Sequence, residues 1–208
     1  MNSNPTRLIF LRHGEVEESY QRHFGGRIDM NLSSRGHEQA RALAQHLRGT
    51  KFDAVYASPM KRVQQTLAPT LTNGAPQPVI MESLREIDFG DWTGMVWEDA
   101  CARHGIKPHQ WLEALDLGLV KNAEPIPAYR ARIERCLRQI VPAHAGQTVA
   151  VFCHGGVIRA MLAAALEIPL TITGAFSVDY ASVTELEVHE DGRFVLEMLN
   201  YLPWRDGT

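Results

Sequence analysis

The stretch TRLIFLRHGE, Thr6 to Glu15, decides how the rest of the chain is read. Leu8 to Leu11 is a short apolar run rich in β-formers, the pattern of a buried strand. It ends in Arg12, His13, Gly14 and Glu15. A cation, an imidazole, a glycine and a carboxylate are a poor way to continue a core. Either the chain surfaces there, or the strand delivers these groups to a site.

Two later apolar runs end in the same kind of chemistry. AVYAS leads to Ser58-Pro59 and then to Lys61 and Arg62, and TVAVFC runs into His154-Gly155-Gly156. Helical patterns lie between the strands. LSSRGHEQARALAQHLRG has a Ser33 or Ser34 cap, apolar positions at Ala40, Leu43, Ala44 and Leu47, and Gly49 as a stop. Helices are also predicted over 60–71, with Pro59 near the first turn, over 95–117 with punctuation at Gly105 and Pro108, and over 128–140 and 157–166. QPVIM reads as a short strand, and TELEVHEDGRFVLEMLN as a hairpin turning at Asp191-Gly192. Alternating strands and helices predict an α/β fold, a mostly parallel mixed sheet with helices on both faces. No repeat, low-complexity tract or linker divides the chain, so one domain over 1–208 is expected.

In open α/β sheets ligands bind beyond the carboxyl ends of the strands. Three such ends would offer two imidazoles and two guanidiniums to one crevice. The glycines let backbone approach a ligand closely, and a helix N-terminus after His154 favours an anion. A divalent cation is poorly matched, because Arg12 beside His13 repels it. A phosphoryl group fits: guanidiniums pair with its oxygens, and a neutral imidazole can attack phosphorus. A leaving alkoxide also needs a proton. SLREIDFGDWTG supplies Glu86, Asp88 and Asp91, and the residues alone do not choose among them.

The four blocks together resemble the histidine phosphatase superfamily, also called the phosphoglycerate mutase-like family. They are Leu-Arg-His-Gly-Glu at 11–15, Ser-Pro-x-x-Arg-x-x-Gln-Thr at 58–66, Leu-x-Glu-x-x-Phe-Gly-x-Trp-x-Gly at 84–94 and His-Gly-Gly-x-x-Arg at 154–159. The resemblance implies a three-layer α/β/α sandwich, no metal or other cofactor, and a phosphohistidine intermediate on His13. It assigns Arg12, Arg62 and His154 to the phosphate pocket and Glu86 to the proton donor. Gly25-Gly26 resembles a segment that closes over substrate, and Gly155 is placed with it as substrate-binding. Where the family often has Thr and then Asn after the signature, this chain has Val16 and Ser19, and Ser19 is taken as a phosphate contact. DWTGMVWEDACARHGIKPHQW looks more like the phosphatase branch than the mutases, whose segment here is longer and more basic; 91–120 offers only Arg103 and Lys107. Phosphoglycerate mutase is the alternative, and a non-catalytic phospholigand-binding protein a weaker one.

Composition bounds the partners. In 208 residues the formal net charge is −3. With a pI near 6.3 there is no broad basic footprint for nucleic acid. No apolar run is long enough for a signal peptide or membrane span. Cys101, Cys136 and Cys153 are odd in number and widely spaced, which suits a reducing, cytoplasmic setting. The expected partner is a small-molecule phosphate ester, with a homodimer left open. Cys153 reads as a buried thiol on the strand face opposite its neighbour. Trp92, Trp97 and Trp111 read either as a substrate mouth or as core, and the remaining histidines as surface or loop residues.

Overall fold

The computed structural model describes residues 4–107 and 110–206. Pro108 and His109, on which one predicted punctuation and one surface histidine fall, lie outside the described residues. Six strands form one sheet in the order β3-β2-β4-β1-β5-β6. Their ranges are β1 Thr6–Arg12, β2 Ala54–Ala57, β3 Val79–Ile80, β4 Thr148–Cys153, β5 Val183–Val188 and β6 Phe194–Tyr201. β3, β2, β4 and β1 run parallel, while β5 and β6 add the antiparallel hairpin. The mixed sheet is therefore the one expected.

The period-2 alternation of the strands separates two cores. Ile9, Leu11, Val55, Ala57, Ala150 and Phe152 pack with Leu43, Leu47, Val63 and Leu67. These belong to α1 (Ser34–His46), or its end, and α2 (Lys61–Thr72). Leu8, Phe10, Val149, Val151 and Cys153 face the other way, against Ile133, Leu137, Ile158 and Met161. Those come from the helices between β3 and the hairpin. In order they are α3 (Trp97–His104), α4 (Trp111–Asp116), α5 (Ile126–Ala143) and α6 (Gly155–Ala165); α7 (Pro203–Asp206) ends the described chain. Helices thus cover both faces, giving the α/β/α sandwich. Among the described residues no helix is long and apolar enough to cross a membrane.

Local chemistry explains the boundaries. Ser33 caps α1, its side chain accepting from the Gly36 N–H. Gly36 also lets α1 start hard against the signature: a Cβ there would stand 2.0 Å from the Glu15 carbonyl oxygen. Pro59 lies just before the α2 cap, Met60, beside the first turn as expected. The predicted 95–117 helix is broken, because Gly105 ends α3 in a left-handed conformation with φ 62°. α5 begins earlier than predicted, with Pro125 as its cap and Pro127 tolerated in the first turn. α6 starts at Gly155, two residues before the predicted Val157, with His154 in extended conformation as its cap.

The parallel register then sets the site. Arg12 lies opposite Cys153, and Ala57 opposite Phe152. The His13 N–H donates to the Cys153 carbonyl at 3.1 Å, and the Ser58 N–H to the Phe152 carbonyl at 3.0 Å. His13, Ser58 and His154 therefore leave one carboxyl edge of the sheet together.

Candidate active site

A cavity of about 340 Å³ opens at that edge, and Arg12, His13, Arg62, Glu86, Gly155 and Arg159 are among its walls. Both ends of the His13 ring are fixed. Nδ1 is 2.8 Å from the Gly14 carbonyl, which can only accept, so Nδ1 carries the proton. Nε2 is left with its lone pair and accepts from Arg62 Nε at 3.2 Å. Burial, then the charges of Arg62 and Arg12, hold the imidazole well below its ordinary pKa. The result is a neutral, oriented imidazole beside two guanidiniums.

Arg62 is clamped from the loop before α1. Its Nη1 donates to the Ile28 carbonyl at 2.8 Å and its Nη2 to the Gly26 carbonyl at 2.9 Å. Burial pushes it down to about 10, still far above neutrality, so it stays a cation. Thr66, one turn on, accepts from the Gly14 N–H and donates to the Arg62 carbonyl, tying the signature loop to α2. Arg12 donates to the Val178 carbonyl and lies 4.2 Å over the Tyr180 ring. Its buried Nε has no partner among the described residues.

His154 stands behind His13 and is not itself a cavity wall, unlike the other predicted catalytic residues. It is fully buried, with ring centroids 5.3 Å from His13. Its Nε2 shares a 2.8 Å hydrogen bond with the Ser58 hydroxyl, while its buried Nδ1 has no partner among the described residues. Burial first, then neighbouring charge, keeps it neutral as well.

The structure separates the three carboxylates. Glu86 lines the cavity, its Oε1 accepting from the Ile87 N–H at 2.9 Å and its Oε2 from the Gly156 N–H at 3.1 Å. Asp88 accepts from the Gly90 N–H and sits 4.0 Å from Arg27. Asp91 accepts from the Asn122 amide at 2.8 Å. Neither lines the cavity. The Glu86 segment is held from behind by Arg132 of α5, which donates to the carbonyls of Ser83, Arg85 and Glu86.

Gly25, Gly26 and Gly155 reach the cavity as expected, but Ser19 does not. Ser19 is exposed on the short turn Glu18–Tyr20, and the next residue, Tyr20, faces inward instead. Trp92 is core at 1% exposed, whereas Trp97 and Trp111 line the cavity. Cys153 is buried among apolar side chains, and burial raises its thiol pKa, so it is no nucleophile. Among the wall residues without a predicted role, Arg159 and Tyr180 stand nearest the chemistry. Arg159 closes the last block and lies one helical turn from Gly155, a spacing that offered the signal. It donates to the Thr173 and Phe176 carbonyls. Tyr180 follows no motif, and nothing in the local sequence marked it. Among the described residues no group of three His, Cys, Asp or Glu side chains could hold a metal ion.

The comparisons fit this geometry. The model of the histidine phosphatase superfamily (branch 1) matches residues 8–201. The chain belongs to that superfamily. It is 31% identical to phosphoserine phosphatase 1 of Hydrogenobacter thermophilus over 193 residues, covering 92% of this chain and 91% of that one. It is 32% identical over 165 residues to the 2,3-bisphosphoglycerate-dependent phosphoglycerate mutase of Brucella anthropi, covering 76% and 80%. The crystal structure of the α-ribazole phosphatase from Shigella flexneri superposes with a TM-score of 0.80 at 26% identity, covering 94% of this chain and 96% of that one. This protein is thus an enzyme of a superfamily whose members here include phosphatases and mutases.

Proposed function

We propose that the enzyme is a phosphomonoesterase that hydrolyses a small-molecule phosphate ester through a phosphohistidine on His13. The observation that carries the reading is the neutral His13 with its Nε2 lone pair at a cavity shared with Arg62 and Glu86. In the first half-reaction Nε2 bonds to phosphorus as the ester P–O bond breaks. Glu86, entering as the acid, gives its proton to the departing alkoxide. In the second, Glu86 takes a proton from water, the water oxygen attacks phosphorus, and the N–P bond breaks to release phosphate and neutral His13. Arg12 and Arg62, both walls of the cavity, stabilise the charge spread over the phosphoryl oxygens. His154 assists from behind His13, its Nε2 accepting from the Ser58 hydroxyl so that its Nδ1 carries the proton.

Hydrolysis is favoured over mutase transfer because Arg103 and Lys107, the cations of the 91–120 segment, are not among the walls of the cavity. The mutase relative supports the other reading, in which the phosphohistidine returns its phosphate to a second hydroxyl. The hydrolytic scheme uses no metal or other cofactor, nucleic acid or membrane. The test is phosphate release from a panel of phosphomonoesters with EDTA present, followed by acid-labile labelling of the protein. The reading requires turnover in EDTA and label lost in His13→Ala. Label on a serine, or turnover restored only by added Mg²⁺ or Zn²⁺, would overturn it. Transfer to a second phosphoglycerate hydroxyl faster than to water would favour the mutase.

A further inference from the structure

The cavity has two chemically distinct halves. All three of its guanidiniums converge on the His13 end. Arg62 bonds to His13, and Arg12 Nε and Arg159 Nη1 stand 3.3 and 3.2 Å from the position a Gly155 Cβ would take. The other half is aromatic. Phe24 and Phe89 have ring centroids 4.9 Å apart, Phe24 and Trp97 6.4 Å, and Phe89 and Trp111 5.4 Å. Gly26 joins the halves: its carbonyl takes Arg62 Nη2, and the Phe89 ring is 3.1 Å from where its Cβ would be. Among the described residues the walls carry no lysine and no arginine beyond those three, and His23, next to Phe24 in the chain, supplies a polar edge. His23 already spends one ring nitrogen on the Gln21 carbonyl.

We infer that the aromatic half binds the alcohol side of the substrate, and that this alcohol carries an uncharged planar ring, aromatic or heteroaromatic. The inference rests on the phosphomonoesterase reading and narrows its substrate class. A carboxylate-bearing alcohol such as serine or glycerate would be desolvated here with no cation to meet it. A flat ring gains stacking surface on Trp97, which is 39% exposed without it, and on Trp111. The cavity volume suits a ring of that size beside the phosphoryl group.

The experiment compares 2-phenylethyl phosphate with phosphoserine and glycerol 3-phosphate, all with alkyl leaving oxygens, in EDTA. The ring-bearing ester should have a kcat/KM at least about tenfold higher, expressed in KM. Trp97→Ala should cut that preference by about tenfold, and Trp97→Phe should restore most of it. Calorimetry on the unaltered enzyme, with benzylphosphonate against methylphosphonate, reads the same half without turnover or variants. Equal or better use of phosphoserine, or equal binding of the two phosphonates, overturns the inference. Tight benzylphosphonate binding with no turnover of any ester would instead overturn the phosphomonoesterase reading and leave the aromatic site standing.

Discussion

The Gly156 N–H donates to Glu86 Oε2, and a Cβ on Gly156 would stand 2.4 Å from Glu86 Oε1. The carboxylate therefore occupies the space that any larger residue at 156 would claim. Gly156 lies in the first turn of α6 without a positive φ, so its backbone does not require glycine. What requires glycine there is the acid.

Gly156→Ala should accordingly keep its thermal stability, or gain from the better helix former, while displacing Glu86. Hydrolysis of a sugar phosphate should fall in the way it does for Glu86→Gln. Differential scanning calorimetry and kcat on a sugar phosphate check the two halves. Full activity in Gly156→Ala would show that the carboxylate position is not critical.

The roles of acid and clamp separate by leaving group. A sugar alkoxide must be protonated as the P–O bond breaks, whereas nitrophenolate leaves without help. Glu86→Gln should slow a sugar phosphate by roughly 10²–10⁴-fold, the usual worth of general acid catalysis, and spare p-nitrophenyl phosphate much more. Arg62→Ala should hurt both alike, since it faces the phosphoryl group whatever leaves it. Asp88→Asn and Asp91→Asn, whose carboxylates point to Arg27 and Asn122, should behave like the unaltered enzyme. A leaving-group-dependent loss in either aspartate variant would move the acid.

The two buried histidines make a pH prediction with a definite sign. His13 and His154 both sit well below the ordinary value of 6.5, chiefly through burial. The unfolded chain takes up protons as pH falls through that value, and the folded one does not. Stability is thus intact above about pH 6.5 and lost on going below it, by up to about 1.4 kcal/mol per pH unit for each group. Tm measured from pH 7.5 to 5 should fall, and the fall should be shallower in the double variant His13→Gln/His154→Gln. A flat profile, or an unchanged slope in the variant, would mean that the imidazoles are charged in the folded state.

How much of this was legible follows from what each residue answers to. β1 and β4 are continuous apolar runs because they are buried on both faces, and their ends pointed directly at His13 and His154. α6 starts two residues ahead of its apolar pattern because Gly155-Gly156 are poor helix formers, and only the site explains their presence. The residues alone do not tell Glu86 from Asp88 and Asp91, and only the resemblance picks it, since the difference lies in which of them meets the Gly156 N–H across 70 residues. Tyr180 was invisible for a similar reason: its place over Arg12 depends on tertiary packing alone. Ser19 answers to position in the motif alone, and the turn at 18–20 presents Tyr20 to the cavity instead.

Arg132 is not itself a wall of the cavity, yet it holds a residue that is. Its guanidinium meets both Glu124 oxygens, at 2.7 and 2.8 Å, and the carbonyls of Ser83, Arg85 and Glu86. Glu124 in turn accepts from the Asp88 N–H. The pair grips the backbone on both sides of Glu86 and so sets where its carboxylate stands. Both side chains are largely buried, at 11% and 13% exposed, so deleting Arg132 alone would leave Glu124 only the more exposed Arg27 at 3.5 Å, at a cost of up to about 3–5 kcal/mol. Arg132→Lys is the sharper variant, because it keeps the charge but not the planar fork that serves all these acceptors. It should lower Tm and slow a sugar phosphate roughly tenfold, with KM little changed, while p-nitrophenyl phosphate is spared as in Glu86→Gln. A second variant, Arg132→Met with Glu124→Leu, removes both charges and should show the same leaving-group dependence even if its Tm recovers. Equal losses on both substrates would make Arg132 a stabiliser of the fold and nothing more.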